Sequence, residues 1–546
     1  MTENDSKKTD VFWADSLATE VMKRNARPVV KAGASPSGGK HVGNLFDVMK
    51  DYMVYKALVR KGAKASFILT HDDRDPLRTI PAKLPGIDGT LVSTEGEIEN
   101  KMKDYIGHPY STAPDPFGCH YTWSEHFSRV WENGIIASGI GENEIKFVSN
   151  EDLYKDGKFD TYFKLIFENL DLVRKVMSEF QESITPDYIP VLAICENCGK
   201  IIGKVKDFNI QERLVGYVCE EKDLAGKYKV LGCGHRGERS WRDCKLAWRF
   251  EWPAQWGILN VDFEAFGKDH AEGSWPSGQA IANKIYQIKP PLYHVYEFLL
   301  VNGGKMSARL GNIYIAQEIL DIIEPEIFMY FYTKRSGKQR NLDIKNMHLL
   351  VDEFERLEKN YFGDTSDGSE QKTITMKREY ESSMNKIPEK PPLRIDYQFA
   401  SVISQLAPDI KSALRMLRDA GHITGHITPE EETQAAMRLS RAKNWVEKFA
   451  PENKIEIGLK ESALNLLSED QKTALKKLSR LLENDITRDD LHTAFYEIAK
   501  ECGIESKDFF KAVYLAIINK TSGPRLAPFI LAIGTTRVRD ILENVK

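Results

Sequence analysis

Apolar residues cluster at positions 28–30 and then recur at Leu45, Val48, Met49, Tyr52 and Tyr55, with a polar, glycine-rich stretch over 34–44 between them. A short apolar run followed by helical spacing predicts strand, tight turn and helix, with the helix beginning near His41. Such a turn aims backbone N–H groups and the positive end of a helix dipole at one point, which favours an anion. Lys40 and His41 add charge and hydrogen-bond donors there. Residues 65–70 predict a second buried strand, ending in the polar run His71-Asp-Asp-Arg-Asp75. Strand, helix and strand in this order are how a doubly wound nucleotide-binding sheet begins, and its ligands sit beyond the strand ends. Asp72, Asp73 and Asp75 are therefore expected at one crevice, where they could hold a cationic substrate. The alternative is a solvated loop salt-bridged to Arg74 and Arg78. Residues 246–253 and 261–266 read as further strands, the second followed by Gly267-Lys-Asp-His270. From about residue 340 helical periodicity takes over, as over 471–482 and 508–518, and a charged, Gly- and Ser-containing stretch at about 363–377 reads as the joint.

Composition narrows the class. The 546 residues are 42% hydrophobic and 29% charged, as in a globular protein of two to four domains. A formal net charge of −4 means that any nucleic-acid binding uses local basic patches. No apolar run has the length of a membrane span and the N-terminus lacks a signal-peptide core, so a cytoplasmic protein is expected. Four of the seven cysteines fall between 195 and 233, in spacing that argues for a reducing compartment and a metal rather than disulfides.

That metal spacing is Cys195-Glu-Asn-Cys198, then Cys219, then Cys233-Gly-His235, a zinc-ribbon pattern. Cys233 or His235 supplies the fourth ligand, with Cys244 as a further candidate. No general base stands near an open position, so the expected ion is structural and staples an insertion at about 185–245. A second group, Asp115, Cys119, His120 and His126, brings four possible zinc ligands within twelve residues, at a spacing that is not a common finger.

The turn at 34–44 is a near miss to the phosphate loop G-x-x-x-x-G-K-[ST]: Ala34 stands where Gly is required, and His41 where the magnesium-binding hydroxyl should be. It is closer to the His-x-Gly-His element of class I aminoacyl-tRNA synthetases, which His41-Val-Gly-Asn44 resembles with Asn in the last place. Gly303-Gly-Lys-Met-Ser-Ala-Arg-Leu-Gly-Asn312 resembles the Lys-Met-Ser-Lys-Ser loop of the same enzymes, with Ala308 and Arg309 in place of its last Lys and Ser. Over nearly its whole length the sequence resembles the class I lysyl-tRNA synthetase family, in the elements above and in residues 114–120, Glu125-His-Phe127, 509–514 and Gly523-Pro-Arg525.

The resemblance implies an α/β Rossmann-type catalytic domain over 1–360 with a zinc-binding insertion, then an all-helical anticodon-binding domain over 361–546. It implies activation of lysine by ATP, with Mg2+ as counter-ion, and transfer to the 3′ end of tRNA(Lys), by a protein expected to be a monomer. His41, Asn44 and Lys305 are the expected donors to phosphate. Pro36, Ser37, Gly43, Gly267, Asp269, His270, Met306 and Ser307 are expected around ATP, and Asp72 and Asp73 at the substrate; which carboxylate takes the lysine ammonium stays open. The rivals are an RNA-binding protein with a decayed nucleotide site and a small-molecule nucleotidyl transferase, for which the helical C-terminal part would have no task.

Overall fold

The computed structural model describes residues 11–182, 184–222, 229–306, 313–334, 339–363, 369–523 and 525–545. The chain divides into two compact units. One comprises residues 1–319, 325–343 and 364–387, and the other 320–324, 344–363 and 388–546. The chain passes between the units at 319/320, 324/325, 343/344, 363/364 and 387/388.

The first unit is built on a five-stranded parallel sheet. Its strands Val29–Ala34, Ser66–His71, Ile145–Ser149, Phe263–Gly267 and Leu292–Tyr296 lie in the spatial order Leu292–Tyr296, Phe263–Gly267, Val29–Ala34, Ser66–His71, Ile145–Ser149. Chain order therefore reverses between the strands Val29–Ala34 and Phe263–Gly267, which makes the space beyond their carboxyl ends the place for a ligand. The helix Leu45–Arg60 crosses the sheet with Leu45, Val48, Met49, Met53, Ala57 and Leu58 fully buried. It begins at Leu45 rather than near His41, because His41–Gly43 form a turn in which the Asn44 N–H donates to the His41 carbonyl at 2.8 Å.

Residues 246–253 depart from the strand reading. Only Cys244–Leu246 is a strand, and Trp248–Leu259 is a helix containing Pro253. The alternation Trp-Arg-Phe-Glu-Trp hides the helix because the polar Glu251 and Gln255 are buried along with their apolar neighbours: Phe250 through Trp256 are all inside. Its Trp252 and Trp256 indoles both donate to Glu264, at 3.0 and 2.7 Å.

The cysteine-bearing insertion is an antiparallel five-stranded sheet, in the order Cys244–Leu246, Val191–Ile194, Ile201–Asn209, Leu214–Cys219, Arg236–Ser240. The second unit is helical. It includes Met347–Phe362, Pro429–Lys448, Glu469–Leu481, Arg488–Glu501, Ser506–Ile518 and Leu526–Ile533. Thr428 with Glu431, and Ser468 with Gln471, form capping boxes that fix two of its helix starts. Among the described residues no helix is long and apolar enough to cross a membrane.

Candidate active site

The two motifs that lie 260 residues apart in sequence meet at the reversal point of the sheet. His41 pairs as an isolated antiparallel bridge with Ile315, and the Val42 N–H donates to the Tyr314 carbonyl at 2.8 Å. At the other end of the loop, Met306 is buried, and its methyl would lie 3.3 Å from a Cβ added to Gly43. The same Cβ would stand 2.8 Å from the His41 Nδ1, so glycine is required there by the imidazole folded over it. Asn44 closes the turn by accepting the His41 N–H on Oδ1 at 3.1 Å. Burial, and next the Lys40 ammonium, push the His41 imidazole down to about 4, so it is neutral at physiological pH.

Beyond the strand ends lies a cavity of about 480 Å3, whose walls include Ser35, Ser37, Lys40, Asn44, Asp47, Asp72, Asp75, Trp252, Glu264 and His270. The charges on its wall are unevenly compensated. Glu264 is saturated by Lys31 at 2.8 Å and the two indoles. Asp75 is salt-bridged to Lys245 at 3.0 Å; burial would raise its carboxyl, but Lys245 holds it below the usual range. Asp72 accepts only neutral amides, from Asn150 at 2.9 Å and Gln255 at 3.0 Å, and burial, then Asp75, raise its carboxyl. Asp47 accepts the Tyr296 hydroxyl, and desolvation lifts it to about 7. Burial likewise lowers the Lys40 ammonium. Asp47, Glu264 and Trp252 carry no motif and were not singled out in the sequence; an acid in the first turn of a helix reads as ordinary dipole compensation.

The remaining expected residues fall as follows. Ser37 lines the cavity, and the Pro36 carbonyl accepts the Trp123 indole N–H at 2.7 Å. Gly267 ends the strand Phe263–Gly267, beside the central one, where a Cβ would stand 2.6 Å from Asp269 Oδ1; Asp269 itself is exposed, while His270 faces the cavity and packs 5.6 Å from Trp252. Lys305 is exposed, its ammonium 4.3 Å from the centre of the Phe298 ring, and it is not on the cavity wall. Ser307, Ala308 and Arg309 lie outside the described residues.

Asp73 does not join Asp72 and Asp75. Its carboxylate accepts the Ser149 hydroxyl at 2.6 Å and the Glu151 N–H at 2.7 Å, which turns it into a separate cavity with His71, Ser149 and Glu151. Neighbouring residues of one turn face opposite sides, so the acid cluster splits.

The four thiols of Cys195, Cys198, Cys219 and Cys233 converge, all within 4.8 Å of one another, with Cys195–Cys233 at 3.7 Å and Cys198–Cys219 at 3.6 Å. A tetrahedral ion with metal–sulfur bonds of about 2.3 Å places its sulfurs about 3.8 Å apart, so the donor set fits Zn2+. His235 stands outside the group and pairs through Nε2 with Glu196 at 2.7 Å; Cys244 bonds the Ser240 carbonyl instead. Asp115, Cys119, His120 and His126 form a second group within 4.8 Å. The Cys119 sulfur lies 3.2 Å from His120 Nδ1 and 3.1 Å from His126 Nδ1. The His126 Nε2 faces the Pro85 carbonyl at 3.0 Å, which leaves Nδ1 free of a proton for a metal.

Sheet order, reversal point and paired motifs are those of a class I synthetase catalytic unit. Residues 11–386 match the family model described as tRNA synthetases class I (K), and residues 434–545 match an anticodon binding domain. The chain belongs to this class I tRNA synthetase family. It is similar to the lysine–tRNA ligase of Natronomonas pharaonis, at 38% identity over 98% of this chain and 97% of the relative. It also resembles those of Haloarcula marismortui, at 37% over 95% and 94%, and Halobacterium salinarum, at 35% over 95% and 94%.

Proposed function

We propose that the protein is a lysine–tRNA ligase. The lysine carboxylate attacks the α-phosphate of ATP and diphosphate leaves, giving lysyl-adenylate; a ribose hydroxyl at the 3′ end of tRNA(Lys) then attacks the adenylate carbonyl and AMP leaves. The observation that carries this reading is the meeting of the His41–Asn44 turn with Met306 beside a crevice in which Asp47 and Asp72 accept hydrogen bonds from neutral donors only.

No protein nucleophile is needed, so the site has to position groups and balance charge. Asn44 and the neutral His41 act as hydrogen-bond donors at the phosphates, and Lys305 brings its charge to them. Pro36, Ser37, Gly43, Met306 and Ser307 form the surroundings of ATP. Gly267, Asp269 and His270, at the end of the strand Phe263–Gly267, suit the ribose. Mg2+ would arrive on the ATP phosphates and neutralise them, since Asp75 and Glu264 are already engaged by Lys245 and Lys31. Asp72 and Asp47, both raised by desolvation, are the carboxylates for the ammonium groups of lysine: an arriving cation removes the cost of their ionisation. Two Zn2+ ions, one in each ligand group, serve as structural staples.

The helical unit supplies an RNA surface. A cavity of about 690 Å3 there is lined by Arg488, Arg525, His422, His492, Phe510 and Tyr514, cationic and aromatic side chains that suit the phosphates and unstacked bases of a loop.

Charging of tRNA with radiolabelled lysine, together with lysine-dependent exchange of diphosphate into ATP in the presence of tRNA, tests the function. Activity with lysine supports it, and failure to charge any RNA with lysine contradicts it. Lys305→Ala should lower kcat far more than it weakens lysine binding; an equal effect on both would remove its assigned role.

A further inference from the structure

Lys245 belongs to the last strand of the cysteine-bearing sheet, where it pairs with Leu192 in register. Its side chain is buried, and it is not on the cavity wall. Its ammonium reaches Asp75 Oδ1 at 3.0 Å and contacts Glu251 Oε2. From these two carboxylates the contacts run on into the crevice. Asp75 accepts the Ser35 hydroxyl on Oδ2 at 2.9 Å. Glu251 accepts Asn150 Nδ2 on Oε1 at 2.8 Å, and the same amide donates to Asp72 at 2.9 Å. Ser35, Asp72 and Asp75 are all crevice walls.

The same strand is clamped a second time. One Arg74 nitrogen donates to the carbonyls of Arg242 at 2.6 Å and Cys244 at 2.9 Å, while its Nε pairs with Glu151 at 2.7 Å. Burial alone would discharge Lys245, yet Asp75 and Glu251 together hold it protonated above the usual lysine value. One ammonium thus joins two buried carboxylates, and through Asn150 the second of them is tied to Asp72 on the crevice wall.

Resting on the lysine ligase reading, we infer that Lys245 is a positioning residue for the amino-acid subsite: through Asp75 and Glu251 it sets the places of Ser35 and Asp72. The cysteine-bearing sheet is by this account a structural part of that subsite, reaching it through a side chain that never touches the substrate.

The test is Lys245→Met in the full-length, zinc-loaded chain, with KM for lysine, ATP and tRNA and kcat measured separately. Loss of an ammonium from a buried network misplaces the groups it held, so KM for lysine should rise roughly tenfold or more, while KM for ATP and for tRNA stay near wild type. Adding Glu251→Gln removes an uncompensated charge and should recover part of the lysine KM. A residue that only anchors the insertion would lower melting temperature and active fraction without splitting the three KM values. Should Lys245→Met fail to fold, Glu251→Gln alone, isosteric and still an acceptor for Asn150, is expected to raise KM for lysine severalfold. A lysine KM unmoved in the variants that fold, or a parallel shift in all three KM values, overturns the inference. If the wild-type chain charges no RNA with lysine, the ligase reading itself fails; if it does and only the variants are silent, the inference alone is lost.

Discussion

The crevice beyond the central strands and the thiol cluster of the insertion both crowd ionisable groups into a small volume, and they do so to opposite ends. At Cys195, Cys198, Cys219 and Cys233 four sulfurs face one point at distances that a single ion satisfies. In the crevice, Asp47 and Asp72 are held by neutral donors only, with their carboxyls raised, and His41 and Lys40 are lowered. A closed, matched cluster stabilises the fold; an open, mismatched one spends stability to be ready for a ligand. Mutations should therefore separate the two regions, the first failing in stability and the second in substrate affinity.

The largest effect is expected at the thiols. Cys198→Ser should take zinc content from two equivalents per chain to one, measured by atomic emission, and strip hydrogen-exchange protection from residues 191–246, since a structural zinc contributes on the order of 10 kcal/mol in small domains. Unchanged zinc content would erase the contrast from that side. In the crevice, Asp72→Asn keeps an acceptor for Asn150 and Gln255 but removes the charge. It should raise KM for lysine roughly 30- to 100-fold, the scale of losing one partner of a buried ion pair, with little change in melting temperature. Gly43→Ala adds a Cβ within 2.8 Å of the His41 ring, and so should lower kcat roughly tenfold by displacing the turn from the loop that carries Met306.

The smallest effect has the sign most characteristic of a mismatched site. Because Asp47 sits at about 7 in the fold against 3.8 for an ordinary carboxyl, the native state binds the extra proton between those values. Stability of the ligand-free chain should fall as pH rises from about 4 to about 7 on this account. Asp47→Asn removes that slope and should stabilise the ligand-free protein at pH 8 by on the order of 1–3 kcal/mol, read by denaturant melts at pH 5 and pH 8. A variant less stable than wild type at pH 8 would place Asp47 among the matched charges.

What was legible in the sequence follows the same divide. The thiols announce themselves because two residues separate Cys195 from Cys198 and cysteine has few other reasons to cluster; only the choice between Cys233 and His235 rests on the fold. The turn at 34–44 was legible because glycines, a lysine and helical spacing occur together. The mismatched charges were not. Asp73 stands beside Asp72 in sequence yet faces away, since the two neighbours leave the turn on opposite sides. Glu251 and Gln255 hid the helix Trp248–Leu259 altogether, because buried polar residues that complete a network break the apolar period by which a helix is recognised. Lys245 and Asn150 carry no motif; their roles exist only through distances to Asp75, Glu251 and Asp72.

The most direct measurement is aminoacylation by the full-length chain, with total tRNA and each of the twenty amino acids in turn. Charging with lysine, and a lysine KM that rises in Asp72→Asn while KM for ATP holds, is the predicted result. Charging with a different amino acid, or none with lysine, would contradict it.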